Sequence, residues 1–594
     1  MVKILKNHVY VCAFTTAIFS FLHNVTVCAR VSSDVPNAKS LVSRCGDQNN
    51  QSSQFDRCKD GQKHIINGKS YQLTGASEKE APPVLAIVVE NKNTIVHATD
   101  IKVKAVPNSG VAYGVGIKKG GTAILDNPLF EGLAIGVGVL NGTLEMNGGV
   151  INAKIGVQAS EGKTQVNGSK TSVFLKDTQI NASNEGVGLT VFNGATAQVT
   201  GGAINAVNAG GVDVDARANV VLDNVRITSK SVKKEGQENA SEEEFSVFSV
   251  QQGGSLQLKR VNVNATDVNG LWIESSSDFL QRDTLLSYLP IVLLQENENK
   301  GSIISQLTDG IFFTNVEVED SAITVRGDQF KGLYLESGAN YNNRHDDVSL
   351  SLGSIQFKNS SLSVPKGIAI YSDAKRDSVI GFLEGTSVSG DLLLQVENDS
   401  SVVVFANDAT LTGGVRIDDE STAEFIISES KWTLRPKKKK DLTDSILNSA
   451  ELYDSLISKA YVQNSRIIFE KPTSKKYQTL HVGKEKIASE EGQAAAGNGQ
   501  LSVSPSYSAA GDARIYVNAF VSGRDSSLIS EADRILIHGD VVGATTIYVS
   551  AIEESLGQKG RKQKGNRGVS LVQVSGKAHK DSFVLDSDYV TLNS

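Results

Sequence analysis

The residues best suited to chemistry in this chain are two carboxylates in the stretch GVDVDAR. Strand alternation puts Asp213 and Asp215 on one face, two residues apart, with Val212 and Val214 on the other. Paired carboxylates on an exposed strand can act as general acid and base on a glycosidic bond. No His, Arg or Lys constellation surrounds them, so the pair reads as solvated surface and no catalytic residue is expected. The six histidines after residue 29 (His64, His97, His345, His481, His538 and His579) lack any HExxH spacing, so neither a metal site nor a cofactor is expected. The stretch GVQASEGKT from Gly156 has five residues between its glycines where a phosphate loop has four, and it reads as a turn. No G-x-S-x-G nucleophile elbow occurs.

Three other groupings suit binding or bracing. Arg326, Gly327 and Asp328 lie between two strand-like runs, where glycine permits a tight turn that would present Arg and Asp outward, as integrin recognition requires. Two basic runs, RPKKKK (with Lys437, Lys438, Lys439 and Lys440) and QKGRKQKGNR (with Arg561 and Lys562), suit sulfated glycans or anionic headgroups. Cys45 and Cys58 sit in a polar segment and are expected to form a disulfide, worth about 3 kcal/mol for so short a loop.

The elements that must position these groups follow from repeats. Glycine followed by apolar alternation recurs as GVGI at Gly114, GVGV at Gly136, GVQA at Gly156, GVGL at Gly186, GVDV at Gly211, GLWI at Gly270, GIFF at Gly310, GLYL at Gly332 and GIAI at Gly367. Between them run short alternating strands closed by Gly or Asn, such as GGTAILDN and NGATAQVTGGAINA. One such rung cannot bury its Val, Ile and Leu, but a stack of rungs can. The expected fold is therefore all-β: a single right-handed parallel β-helix, a rod on the order of 100 Å long at ~4.8 Å per coil. Insertions should leave the rod at SKSVKKEGQENASEEEF and at 275–300, where Leu280, Leu286, Leu289 and Leu293 suit a short helical flap.

The N-terminus and the charge bound the compartment and the partners. Lys3 and Lys6, the apolar run from Tyr10 to Leu22 and the small residues of Val27–Ala29 form a secretory signal peptide, too short for the ~20 residues of a membrane span. Removing Lys3 and Lys6 takes the formal charge from −7 to −9. That excess of acid argues against nucleic acid as a partner. The expected division is a leader over 1–29, an N-terminal segment with the disulfide over 30–84, a rod over 85–430, and C-terminal rungs with a β cap over 431–594.

From Ser428 onward the chain resembles a known family. SESKWTLRP, LISKAYVQNSRIIFE and YQTLHVGK, followed by ADRILIHGDVVGATTIYVS and GVSLVQVSGKAHKDSFVLDSDYVTLNS, are similar to the last rungs and autochaperone region of pertactin-like autotransporter passengers. The leader and the rung style also resemble passengers of the angiogenic-factor group of Bartonella autotransporters. The resemblance implies export through the periplasm to the bacterial surface or medium, with a translocator β-barrel that this sequence lacks. It also implies a monomeric passenger, folded from its C-terminal end, that engages a host cell-surface receptor as adhesin or ligand. An integrin or a growth-factor receptor, with endothelial mitogenic activity, fits that expectation. The alternative is a β-helical polysaccharide lyase or hydrolase.

Overall fold

A computed structural model describes residues 45, 55–74, 84–106, 112–162, 170–232, 245–275, 311–337, 350–375, 377–436, 453–472, 476–484, 505–521, 529–553 and 569–587. All of these belong to one compact unit, 38–594. The leader, the insertions at 233–244 and 276–310, and Lys437 to Lys440, Arg561 and Lys562 lie outside the described residues.

A coil carries three strand segments, of which the second and third run together in several coils, as in Leu129–Leu140 and Val150–Ser160. In one coil these are Thr196–Thr200, Ala203–Val207 and Gly210–Val214. In the next they are Asn219–Asp223, Arg226–Lys230 and Ser246–Gln251. Pairing between coils is parallel and in register, with Thr196 against Asn219, Ala203 against Arg226 and Val212 against Phe248. The first strands of successive coils form a 16-stranded parallel sheet, which we call the first face. The second and third strands form two further faces, and the fold is a parallel β-helix. Among the described residues there is no helix. Among the described residues the one antiparallel pairing joins Arg514–Val521 to Ile529–Ala532, within the C-terminal region expected to cap the rod.

The in-register stack turns alternation into a core. Val199, Leu222, Leu258, Val318, Phe357 and Phe382 follow one another along the first face, all buried. One apolar cluster runs from Cys58 to Ile547. A polar column lies outside it on the second face, where Asn205 donates to Asn181 at 2.8 Å and Asn181 to Asn152 at 2.6 Å.

The two inner corners explain the recurring sequence signals. Between first and second faces, Asp320, Asn359, Asp408, Glu429 and Asn464 adopt positive φ of 44–52°, a conformation that short polar side chains tolerate. A buried hydroxyl follows at several of these positions and satisfies the coil before it. The Ser360 Oγ accepts from Ser321 N, and Ser465 Oγ from Ser430 N. Between second and third faces a column made mostly of glycine recurs, interrupted by Val247 and Ala369. A Cβ on Gly136 would strike the Gly156 carbonyl, and one on Gly156 the carbonyl of Gly188.

The column corrects three assignments in the repeat. Ile155 pairs with Val187, so Gly188, not Gly186, is the stacked residue. Lys331 pairs with Ile368, which puts Ala369 and not Gly367 opposite Gly332. The run after Gly310 is strand Ile311–Glu319 of the first face, outside this column altogether. Glycine followed by apolar residues occurs at more than one corner, and spacing alone does not tell the corners apart.

A candidate binding face of rings and carboxylates

On the third face, the residue two places after the stacked corner position points outward, and so does the one four places after it. Leu271 and Ile273 are buried while Trp272 and Glu274 are half-buried. The same holds for Tyr334 and Glu336 around Leu333 and Leu335, and for Tyr371 and Asp373 around Ile370 and Ser372. Coil pairing aligns these positions into two columns. Thr190, Asp213, Ser249, Trp272, Tyr334, Tyr371, Gln395 and Arg416 form the first. Gln251, Glu274, Glu336 and Asp373 form the second, with Asp215 and Glu397 at its ends.

The columns are cross-linked diagonally. Trp272 Nε1 donates to Glu336 Oε2 at 2.7 Å, Tyr334 OH to Asp373 Oδ2 at 3.5 Å, and Tyr371 OH to Glu397 Oε2 at 2.8 Å. Each ring thus reaches the acid of the following coil, a step of ~4.8 Å that only a long side chain spans. Tyr334 and Tyr371 meet edge to face with centroids 5.3 Å apart. Lys331 Nζ lies 4.4 Å from the centre of the Tyr334 ring and 5.1 Å from that of Tyr371.

The face is electrostatically strained toward negative charge. Burial, with Asp215 and Glu274 adding repulsion, pushes the Asp213 carboxyl up to about 6, although the Ser249 hydroxyl favours its charged form. Burial also raises Asp215, against a backbone N–H at Ala216. Asp373 is raised by burial and Glu336, with Lys331 opposing. The Tyr334 phenol is pushed up by burial and by Asp373 and Glu336. Three acceptor atoms here, Asp213 Oδ1, Asp215 Oδ1 and Asp373 Oδ1, are sealed from solvent without a hydrogen-bond partner. Asp213 and Asp215 are therefore not the freely solvated pair that the sequence suggests. No basic side chain is among the groups that shift them, whereas Lys331 stands beside Asp373.

The other anticipated groups lie elsewhere. Arg326 ends strand Ala322–Arg326, and Gly327, at φ 122°, opens the corner before Lys331–Ser337. Arg326 and Asp328 are exposed, yet Arg326 Nη1 donates to Asn264 Oδ1 at 3.3 Å and Lys366 Nζ lies 3.4 Å from Asp328 Oδ1. Backbone bonds from Asp267 N to Arg326 O and from Gln329 N to Lys366 O hold this corner in the stack, so it is no protruding finger. Cys45 and Cys58 are bonded, their Cα atoms 5.0 Å apart, with Cys58 buried in the core. Arg435, at the start of the first basic run, pairs with Glu470 at 3.1 Å. His97 meets Asp126 at 2.6 Å and His481 stacks on His538. Among the described residues no three His, Cys, Asp or Glu side chains gather as a metal site.

The ring column was within reach of the sequence. Set in register by the corner, GVDVD, GLWIE, GLYLE and AIYSD all carry an outward Asp, Trp or Tyr followed two residues later by an acid. Compared with known proteins, this chain matches no family and no curated sequence.

Proposed function

We propose that this chain is a secreted or surface-displayed rod that engages host cells as adhesin or receptor ligand, and that the third face is the surface it presents. The family resemblance of the residues from Ser428 onward supports the cellular setting. The observation that carries the reading is the diagonal ladder of Trp272, Tyr334 and Tyr371 against Glu336, Asp373 and Glu397. Aromatic anchors with polar rims are what protein partners seat against. The test is to add the purified chain to endothelial and epithelial cells and measure binding and proliferation, with Trp272→Ala and Asp328→Glu as variants. Saturable binding that Trp272→Ala weakens at least fivefold supports the reading; absence of binding and of any cellular response sinks it.

Asp213 favours a second reading. A carboxyl held up to about 6 beside a second carboxylate is suited to general-acid cleavage of a glycan. Release of reducing ends from a polysaccharide panel near pH 5.5, abolished by Asp213→Asn, would establish it. No release across the panel removes it.

A further inference from the structure

The third face also indicates which partner chemistry it suits. We infer that the stretch from Asp213 to Asp373 is a docking track for an extended, lysine- or arginine-bearing segment of a protein partner. Its cationic side chains seat between the carboxylates and the rings. This deepens the reading above and rests on it.

Lys331 supplies the precedent within the molecule. Its ammonium lies over both Tyr334 and Tyr371 and draws the Asp373 carboxyl back toward its charged form. An alkyl ammonium is thus accommodated by rings and acid together. Three coils earlier the same two columns carry Asp213 and Asp215, with Glu274 close enough to raise Asp213, and no cation is among the groups that shift either. Both Asp213 Oδ1 and Asp215 Oδ1 are sealed without a partner. Both side chains are only half-buried as a whole, so they present negative potential to the surface there without a positive group such as Lys331 provides further along. Trp272, one coil beyond Ser249, flanks that gap with a half-buried indole.

Competing occupants fit less well. A sugar ring needs a flat aromatic platform, whereas Tyr334 and Tyr371 meet edge to face with Lys331 over both. A metal ion needs three or more protein ligands in one place, and the described residues gather none. An extended basic segment needs carboxylates in a line at strand spacing, and parallel coils supply that line.

The test uses the purified chain and a fluorescein-labelled eight-residue peptide alternating Lys and Ser, at pH 7.5 and physiological salt. Anisotropy should show saturable binding, weakened at least tenfold by Asp213→Asn with Glu274→Gln. It should stay within twofold for Glu145→Gln with Glu185→Gln, which removes equal charge from exposed positions off the track. Wild-type fluorescence gives a readout that needs no variant. Of the two tryptophans Trp432 is fully buried, so a peptide-induced change reports Trp272. The track is overturned by equal losses in both double variants, by binding with no change in Trp272 emission, by spermine matching the peptide's affinity, or by no binding at all. No cells enter this assay, so cell engagement can fail with the track intact, and the track can fail while cells still bind.

Discussion

Glu90 and Asp213 are both carboxylates on the third face, and the molecule treats them in opposite ways. Glu90 ends strand Val84–Glu90 and is almost fully buried, which alone would raise its pKa. Instead Lys119 at 2.7 Å, Arg57 at 3.0 Å and Lys118 at 3.6 Å hold it down to about 2. Asp213 is also raised by desolvation, has other acids around it, and stands at about 6. The N-terminal end of the face thus neutralises its buried charge internally, and the stretch around Asp213, further along, leaves the charge uncompensated. A fold stabilised everywhere by the same stack has no need of the second arrangement, and uncompensated groups of this kind mark the places where a protein meets something else.

The largest effect should come from undoing the compensated end. Glu90→Gln removes the anion shared by three cations and should cost about 3 kcal/mol, seen as a lower urea midpoint for the N-terminal coils. Asp213→Asn should act in the opposite direction, stabilising its coils by about 2 kcal/mol at pH 7.5 because an amide carries no charge to desolvate. If both substitutions destabilise, the contrast between the two sites is wrong.

The pH dependence sharpens the same contrast in the unmodified chain. Asp213 has a folded pKa above its ordinary value of 3.8, so its ionisation penalty is absent at low pH. The penalty grows between about 4 and 6 and is complete above. Glu90 has a folded pKa below its ordinary 4.5, so its contribution is full above that value and disappears as pH falls toward 2. Stability should therefore rise on acidification from pH 7.5 to 5 and fall below about pH 4.5. The first change should be smaller in Asp213→Asn, with Asp215 and Asp373 supplying what remains, and the second smaller in Glu90→Gln, where Asp126 and Asp418 still contribute, as read by urea unfolding at each pH.

Much of the scaffold was legible because its causes are local. Alternation dictates which side chains turn inward, and many coils carry their own glycine corner. The site was legible only in part, because its causes are nonlocal. Asp213 stands out in GVDVDAR, but its burial depends on the coil that brings Ser249 beside it. The Trp272–Glu336 bond joins residues 64 apart, across the insertion at 276–310, and no short window of sequence contains both. Arg326, Gly327 and Asp328 show the converse. They are conspicuous as a tripeptide, while the bonds from Asp267 and Lys366 that hold their corner in the stack come from neighbouring coils.

The smallest expected effect lies within the ladder itself. Tyr371→Phe removes one rung, the phenol bond to Glu397 Oε2, and leaves the ring against Tyr334 and beneath Lys331. Glu397 Oε1 keeps its 2.6 Å bond from Gln395, so the acid loses one donor and not all of them. The cost should be about 1 kcal/mol, the net worth of a single hydrogen bond. Peptide affinity should change less than twofold, because Asp213, Glu274 and Trp272 are untouched. A tenfold loss of affinity from this one hydroxyl would move the binding determinant along the face to Glu397, and the contrast drawn between Glu90 and Asp213 would then concern stability alone.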